Sequence, residues 1–140
     1  MICRTFPLGT LKKYKYVVIL SFNNGRIMLS RHRNRLTWET QGGHIESGET
    51  PLTAAHRELY EESGATGYHI KPVFDYWVMD ESDGSSASGQ VFMASVTILD
   101  EIPESEMSEV AFFDSLPNDL TYPEITPVLF SELLTMEECK

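Results

Sequence analysis

The 23 residues Gly43–Ala65 constrain the fold more than any other stretch, because they join a glycine turn to a helix with marked ends. Thr50 is a suitable N-cap, and Pro51 fits the first helical turn, where a missing backbone N–H costs nothing. Gly64 suits the left-handed position just past a helix, so the spacing predicts an α-helix over Pro51–Ser63. Any sheet that this chain forms must therefore accommodate one turn-and-helix unit.

The end of that helix carries an unusual number of acidic side chains. Glu58, Glu61 and Glu62 fall within a sector of about 100° on a helical wheel, at the end where the helix dipole prefers cations. Three carboxylates this close disfavour one another's ionisation unless a positive partner is present. Because Mg²⁺ and Mn²⁺ select carboxylate oxygens, the cluster predicts a divalent-metal site. The alternatives are a solvated acidic face, structural Ca²⁺ or a basic protein partner.

The residues around the cluster favour a binding site over a solvated face. Gly42 and Gly43 precede the helix and let the backbone approach a ligand without obstruction by a Cβ atom. Arg57 lies eight residues after Glu49, so its guanidinium is placed to clamp that carboxylate. Such a clamp would pin the loop to the helix and hold the acidic groups in place.

The rest of the chain is typical of a sheet with one further helix. The Asn23-Asn24-Gly25 sequence is a strong hairpin signal, and residues 81–89 form a small-polar run that predicts an exposed hairpin loop. A near-3.6 period of apolar residues predicts a second helix over Glu124–Glu138. Strands are predicted where β-branched and aromatic residues cluster, over Tyr14–Phe22, Arg26–Ser30, Tyr68–Met79 and Val91–Leu99. The pattern indicates a mostly antiparallel sheet between two helices, in an α+β or a layered α/β/α arrangement.

Composition supports one domain over residues 1–140, since 41% hydrophobic and 23% charged residues are ordinary for a globular protein. The formal net charge of −10 opposes binding to nucleic-acid polymers and anionic membranes, so neither is an expected partner. Two basic clusters could serve a phosphate group or could be solvated surface. They are Lys12, Lys13 and Lys15, and Arg31, His32, Arg33 and Arg35.

The two cysteines and the apolar runs bear on the cellular compartment. Cys3 and Cys139 lack the spacing of a metal site or a redox motif, which suggests a reducing compartment. The N-terminus lacks the apolar run of a signal peptide, and no segment approaches the ~18 apolar residues of a membrane span. We therefore expect a cytoplasmic protein, acting as a monomer or homodimer.

At this point the spacing resembles a known motif, the Nudix box GX5EX7REUXEEXGU, in which U is a bulky aliphatic residue. The residues that match the box are Gly43, Glu49, Arg57, Glu58, Leu59, Glu61, Glu62 and Gly64. The single departure is Ala65, where the family has a larger aliphatic residue. The preceding run Trp38-Glu39-Thr40-Gln41-Gly42-Gly43 resembles the WEFPGG sequence of the mutator-type (MutT-like) branch, with Thr40 and Gln41 replacing Phe and Pro.

The resemblance implies the Nudix fold, an α+β fold arranged as an α/β/α sandwich around a mixed, largely antiparallel sheet. It also implies specific roles for these residues. It implies that Glu58, Glu61 and Glu62, with the Gly42 carbonyl, hold Mg²⁺, or Mn²⁺ in its place. It implies that Arg57 and Glu49 form the internal clamp. The general base is left open between Glu58 and a later acidic loop, in which Glu104 and Glu106 are the candidates for a base or an additional metal ligand. Trp38 and His44 are candidate substrate contacts, through base stacking and phosphate binding respectively.

The implied activity is hydrolysis of a nucleoside diphosphate linked to another moiety, by attack of water on phosphorus. A nucleoside or deoxynucleoside triphosphate is the expected substrate, as in the mutator-type branch. ADP-ribose, a nucleotide sugar and a dinucleoside polyphosphate are alternatives within the same fold. A nucleotide-binding regulator without turnover is an alternative from another class, although its usual signature, a missing box glutamate, does not occur here.

Overall fold

The computed structural model describes residues 1–138, with the side chains of residues 1–136. Eight strands and two helices follow one another along the chain. The strands are β1 (Ile2–Pro7), β2 (Tyr16–Asn23), β3 (Arg26–His32), β4 (Trp38–Glu39), β5 (Gln41–His44), β6 (Ala65–Met79), β7 (Ser86–Leu99) and β8 (Met107–Phe113). The helices are α1 (Pro51–Ser63) and α2 (Thr126–Glu138).

All eight strands belong to one mixed sheet. Its main path runs β1-β6-β7-β2-β3-β4, with β5 paired to β2 and β8 paired to β3. Every pairing is antiparallel except the central one between β2 and β7. The long β6–β7 hairpin forms one wing, and the shorter strands β3, β4 and β8 form the other.

The alternation of side chains along β2 divides the core into two layers. Val17 and Ile19 point to one face, where they pack with Leu59 and the alanines of α1. Leu20 points to the opposite face, where it packs with Leu129 and other apolar residues of α2. Because one helix covers each face, the structure confirms the predicted α+β fold and its α/β/α layers.

Several element boundaries differ from the sequence-based expectation. The predicted α1 is confirmed at both ends, because Thr50 accepts a hydrogen bond from the Thr53 N–H and Gly64 adopts the left-handed conformation with φ of 80°. The second helix begins at Thr126, two residues later than predicted. Strand β7 begins at Ser86, so the exposed turn is shorter than the predicted loop over residues 81–89. Tyr14 lies before β2, and its hydroxyl donates to the carboxylate of the buried Asp75.

Four strands lacked a sequence-based prediction: β1, β4, β5 and β8. The first has few β-branched residues, and β4 and β5 are two and four residues long, which is too short for a period to show.

Neither helix has the length and apolar character needed to span a bilayer, within the residues described. Cys3 is a half-buried free thiol on β1, and burial raises its pKa to about 11. Cys139 lies outside the described residues, so the compartment stays a prediction.

Candidate active site

The glycine turn before α1 is held against the central sheet. Strand β5 pairs antiparallel with β2, which places Gly42 opposite Val18 and Gly43 opposite Val17. A Cβ atom at Gly42 would overlap the carbonyl oxygen of Val17. Only glycine therefore allows the two backbones to approach this closely.

Two carboxylates from α1 converge on this turn. The backbone N–H of Gly42 donates a hydrogen bond to Glu62 Oε1 at 2.7 Å. The Glu58 carboxylate lies over Gly43, where a Cβ atom would stand only 2.8 Å from Glu58 Cδ. The missing side chain at Gly43 thus forms a cradle for Glu58, and the turn and the helix meet through acidic groups.

Arg57, itself a residue of α1, is the positive partner of the acidic groups around it. Its Nε and Nη2 atoms donate to the two carboxylate oxygens of Glu49 at 2.8 and 2.9 Å, so the expected ion pair is present and two-pronged. Nη1 donates to Glu58 at 2.6 Å and to Glu61 at 3.4 Å. A further bond from Nη2 to the His44 carbonyl at 3.0 Å ties the helix to the glycine turn.

The surroundings shift the pKa values of these carboxyl groups in opposite directions. Hydrogen bonds from Arg57 and from the Glu46 backbone lower the pKa of Glu49 to about 2. Burial raises the pKa of Glu62 to about 9, and the nearby charge of Glu58 adds to that rise. Burial also raises the pKa of Glu58, although Arg57 opposes the effect. Glu49 is therefore firmly ionised, whereas burial favours the protonated forms of Glu58 and Glu62.

The donor chemistry of the cluster fits a hard divalent cation. Its groups are all oxygen donors, and two of them converge on a turn that a Cβ atom would fill. The carboxylates are engaged separately, Glu58 and Glu61 by Arg57 and Glu62 by Gly42. Within residues 1–138, no three His, Cys, Asp or Glu side chains stand in ready-made ligand geometry. The residues thus provide the ligand types without a preassembled cage.

A cleft of about 460 Å³ opens beside the glycine turn, between the sheet and the start of α2. Gly42, Gly43 and Glu62 form its acidic end. Glu39, a carboxylate that the sequence did not single out, also lines it and is only 6% exposed. An ion pair of 3.0 Å joins Glu39 to Arg35 at the rim. The remaining wall is largely aromatic and aliphatic and includes Tyr16, Val18, Tyr76, Val78, Tyr122, Ile125 and Leu129.

The predicted substrate and base residues divide between the cleft and its outside. His44 lines the cleft, with its ring 4.6 Å from that of Tyr16. Glu106 lines it as well, whereas Glu104 is exposed and absent from the lining. Trp38 is also absent from the lining, and its ring packs edge-on against Phe113 at 5.3 Å.

The alternation of side chains along a strand explains why Glu39, and not Trp38, lines the cleft. Successive residues of a strand point to opposite faces, so the two-residue β4 can turn only one of Trp38 and Glu39 into the cleft. The sequence signal for Glu39 was present, since it immediately precedes the Thr40-Gln41-Gly42-Gly43 run. Arg35 belongs to the basic cluster that the sequence offered for a phosphate group, whereas Tyr122 had no sequence signal, because it reaches the cleft from a distant loop.

Two bacterial RNA pyrophosphohydrolases are similar in sequence to part of this chain. An RNA pyrophosphohydrolase of Francisella tularensis subsp. mediasiatica is 44% identical over 48 residues, or 34% of this chain and 30% of that protein. One from Psychromonas ingrahamii is 37% identical over 54 residues, or 39% of this chain and 30% of that protein. The aligned segments thus span under a third of each relative.

The whole fold is also similar to that of a solved structure. The crystal structure of the Bacillus subtilis pyrophosphohydrolase BsRppH superposes with a TM-score of 0.79, at 22% identity, over 98% of this chain and 90% of that one. Residues 12–126 match the NUDIX domain family. Since that match covers well over half of the chain and includes the glycine turn and the acidic helix, this protein belongs to the NUDIX domain family.

Proposed function

We propose that this protein hydrolyses a phosphoanhydride bond in a nucleoside triphosphate, with Mg²⁺, or Mn²⁺ in its place, as the cofactor. One observation carries the proposal: Glu58 and Glu62 converge on the Gly42–Gly43 turn at the acidic end of a ligand-sized cleft. Nudix hydrolases generally use divalent metal cations. Glu58, Glu61 and Glu62, together with the Gly42 carbonyl, are the groups that would hold one.

A divalent cation, when bound, supplies the positive charge that a phosphate chain needs beside several carboxylates. The protein's own residues supply position and proton transfer. Water attacks phosphorus, the phosphoanhydride P–O bond breaks, and the departing phosphate takes the electron pair. Glu58 is the proposed proton acceptor, because burial raises its pKa toward the range useful for a general base. Arg57 and Glu49 hold the helix and turn in register, and Glu106, which lines the cleft, is the alternative base.

The cleft favours a free nucleotide as the substrate. Its volume of about 460 Å³ falls within the usual range for small-ligand sites. Aromatic and aliphatic side chains line the wall away from the glutamates, and such a surface suits a nucleobase. His44, which also lines the cleft, is the proposed contact for the phosphate chain. The net charge of −10 opposes a long polyanion.

The 5′ end of an RNA chain is a second candidate, for two reasons. The relatives reported above are named RNA pyrophosphohydrolases. Locally, the exposed Lys15 places Nζ 5.4 Å from the centre of the Tyr16 ring, which lines the cleft. Lys12 and Lys13 are also exposed, within three residues of Lys15 along the chain. A polynucleotide leaving the cleft there would meet favourable charge.

Release of phosphate or pyrophosphate from a nucleotide panel, with and without Mg²⁺, tests the proposal. The panel should contain nucleoside triphosphates, ADP-ribose, a nucleotide sugar, a dinucleoside polyphosphate and a 5′-triphosphorylated oligoribonucleotide. We expect Mg²⁺-dependent release from the triphosphates and none from Glu62→Gln. No release from any compound, with binding retained, would instead support a nucleotide-binding regulator.

A charge reversal separates the two triphosphate substrates. If RNA is the substrate, Lys15→Glu should lower kcat/KM for the oligonucleotide about tenfold or more, and much less for a free nucleotide. Lys71→Glu is the matched control, because Lys71 is exposed on β6 and does not line the cleft. Equal effects of the two reversals on the oligonucleotide would exclude a guiding role for the loop.

A further inference from the structure

A chain of buried polar groups runs beneath the acidic end of the cleft. Ser21 on β2, Ser30 on β3 and Gln41 on β5 are fully buried. Ser21 Oγ donates to Gln41 Oε1 at 2.7 Å, and Gln41 Nε2 donates to Ser30 Oγ at 2.9 Å. Ser30 Oγ then donates to the backbone carbonyl of Glu62 at 2.8 Å. Polar groups in a core are costly unless every one is satisfied, so this chain requires a reason.

The chain closes a ring around one residue of the proposed metal site. Gln41 is joined by a peptide bond to Gly42, whose N–H donates to the Glu62 carboxylate at 2.7 Å. Glu62 is therefore held twice, at its side chain through Gly42 and at its carbonyl through Ser30. Both contacts lead back to Gln41, one through the backbone and one through the side-chain amide.

The position of Glu62 in the helix explains why its carbonyl is available. Glu62 is the next-to-last residue of α1, and the last four carbonyls of a helix have no partner within it. The hydroxyl of Ser30 satisfies that carbonyl from the neighbouring sheet. The contact fixes how far the last turn of α1 stands from β3, and hence how far its carboxylates stand from the glycine turn.

We propose that Ser30 and Gln41 are positioning residues, which set the distance between the glycine turn and the last turn of α1 and thereby hold Glu62 in place for a divalent cation. This inference rests on the proposed function for its catalytic consequence. The ring itself is a property of the fold, so it can be tested in the metal-free protein.

Ser30→Ala tests the proposal, with Ser21→Ala as the matched control. Both substitutions remove one fully buried hydroxyl bonded to Gln41. Ser30→Ala removes one more hydrogen bond and should cost more global stability, so the two variants are compared at matched free energies of unfolding. Only Ser30 bonds to Glu62. Ser30→Thr keeps the hydroxyl and serves as the conservative variant.

The first measurement is amide hydrogen exchange at Gly42 in the metal-free variants, under conditions of matched global stability. We expect Ser30→Ala to speed exchange at Gly42 about tenfold relative to Ser21→Ala, because the partner of that N–H is released. We expect Ser30→Thr to restore slow exchange. Equal exchange in the two alanine variants would overturn the positioning role.

The second measurement is Mn²⁺ affinity, followed by steady-state kinetics. We expect the Kd for Mn²⁺ to rise about tenfold or more in Ser30→Ala and less than about twofold in Ser21→Ala, with kcat falling more than KM changes. Unchanged affinity in Ser30→Ala would overturn the link to the cation. A wild-type protein that binds Mn²⁺ but cleaves no phosphoanhydride would refute the proposed function alone, and Gly42 exchange would still decide the positioning role.

Discussion

Replacing Glu62 by Gln should stabilise the metal-free protein at neutral and alkaline pH. Glu62 is only 9% exposed, and burial raises its pKa to about 9 from an ordinary value of 4.5. Between those two values the unfolded chain carries an ionised Glu62, while the folded protein keeps it protonated. Folding therefore takes up a proton, and the free energy of unfolding falls as the pH rises through that window.

The size of the effect follows from the displacement of the pKa. Each pH unit between the unfolded and folded pKa values corresponds to ~1.4 kcal/mol. Wild type should therefore lose about 3 kcal/mol of unfolding free energy between pH 4.5 and pH 7, and approach a ceiling of about 6 kcal/mol near pH 9. Gln has the shape of the protonated acid and does not ionise, so the variant should avoid this loss.

Urea denaturation of wild type and Glu62→Gln from pH 4.5 to pH 9, in the presence of a chelator, measures the difference. The two proteins should have similar stability at the acidic end and diverge as the pH rises. Glu61→Gln is the control, because Glu61 is half-exposed and its removal should change stability by less than about 1 kcal/mol. A constant difference between wild type and Glu62→Gln over the whole range would show that Glu62 is not desolvated, and would refute the reasoning.

Three further predictions follow from the site. Gly43→Ala should cost less than about 1 kcal/mol of stability, because the new Cβ displaces only the flexible Glu58 carboxylate, yet it should lower kcat about 100-fold. In Gly42→Ala the new Cβ meets rigid backbone, so this variant should lose about 2 kcal/mol or more, as thermal unfolding would show. Arg57→Lys should lower kcat about 10- to 100-fold. Because Arg57 lowers the pKa of Glu49, their ion pair stabilises wild type above pH 4.5, and this stabilisation is lost as Glu49 becomes protonated toward pH 2. The variant should lack this pH-dependent stabilisation, measured as Tm against pH. Saturating Mg²⁺ should raise the Tm of wild type by mass action and leave that of Glu62→Gln nearly unchanged, as differential scanning fluorimetry would show.

The parts of the fold with local signals were predictable from the sequence. Helix α1 has its cap, its proline and its terminal glycine within 15 residues, and both predicted ends agree with the structure. The Arg57–Glu49 pair was predictable for the same reason, since both partners lie on one turn-and-helix unit. The antiparallel wing β6–β7 was largely predictable because its strands are long and rich in β-branched and aromatic residues.

The parts that depend on distant pairing were not predictable. Strand β5 exists only because residues 41–44 pair with β2, and its glycines would otherwise suggest a loop. The cleft includes Tyr122, which comes from a loop whose composition is unremarkable. Gln41 looked like a departure from a proline position, whereas the structure uses its amide to join three strands to the carbonyl of Glu62.

The acidic crowding on α1 is resolved differently by each carboxylate, and this division explains how the fold tolerates it. Arg57 neutralises Glu49 and contacts Glu58 and Glu61, so most of the charge on the helix has a partner within the protein. Glu62 instead receives one backbone N–H and remains buried, which leaves it costly to ionise. A cation that binds there removes that cost, and its binding energy is then partly spent on ionising Glu62. The affinity of wild type for the metal should therefore rise with pH. Glu62→Gln has no proton to lose at this position, so the difference in metal affinity between wild type and the variant should widen by up to about tenfold for each pH unit between pH 5 and pH 9.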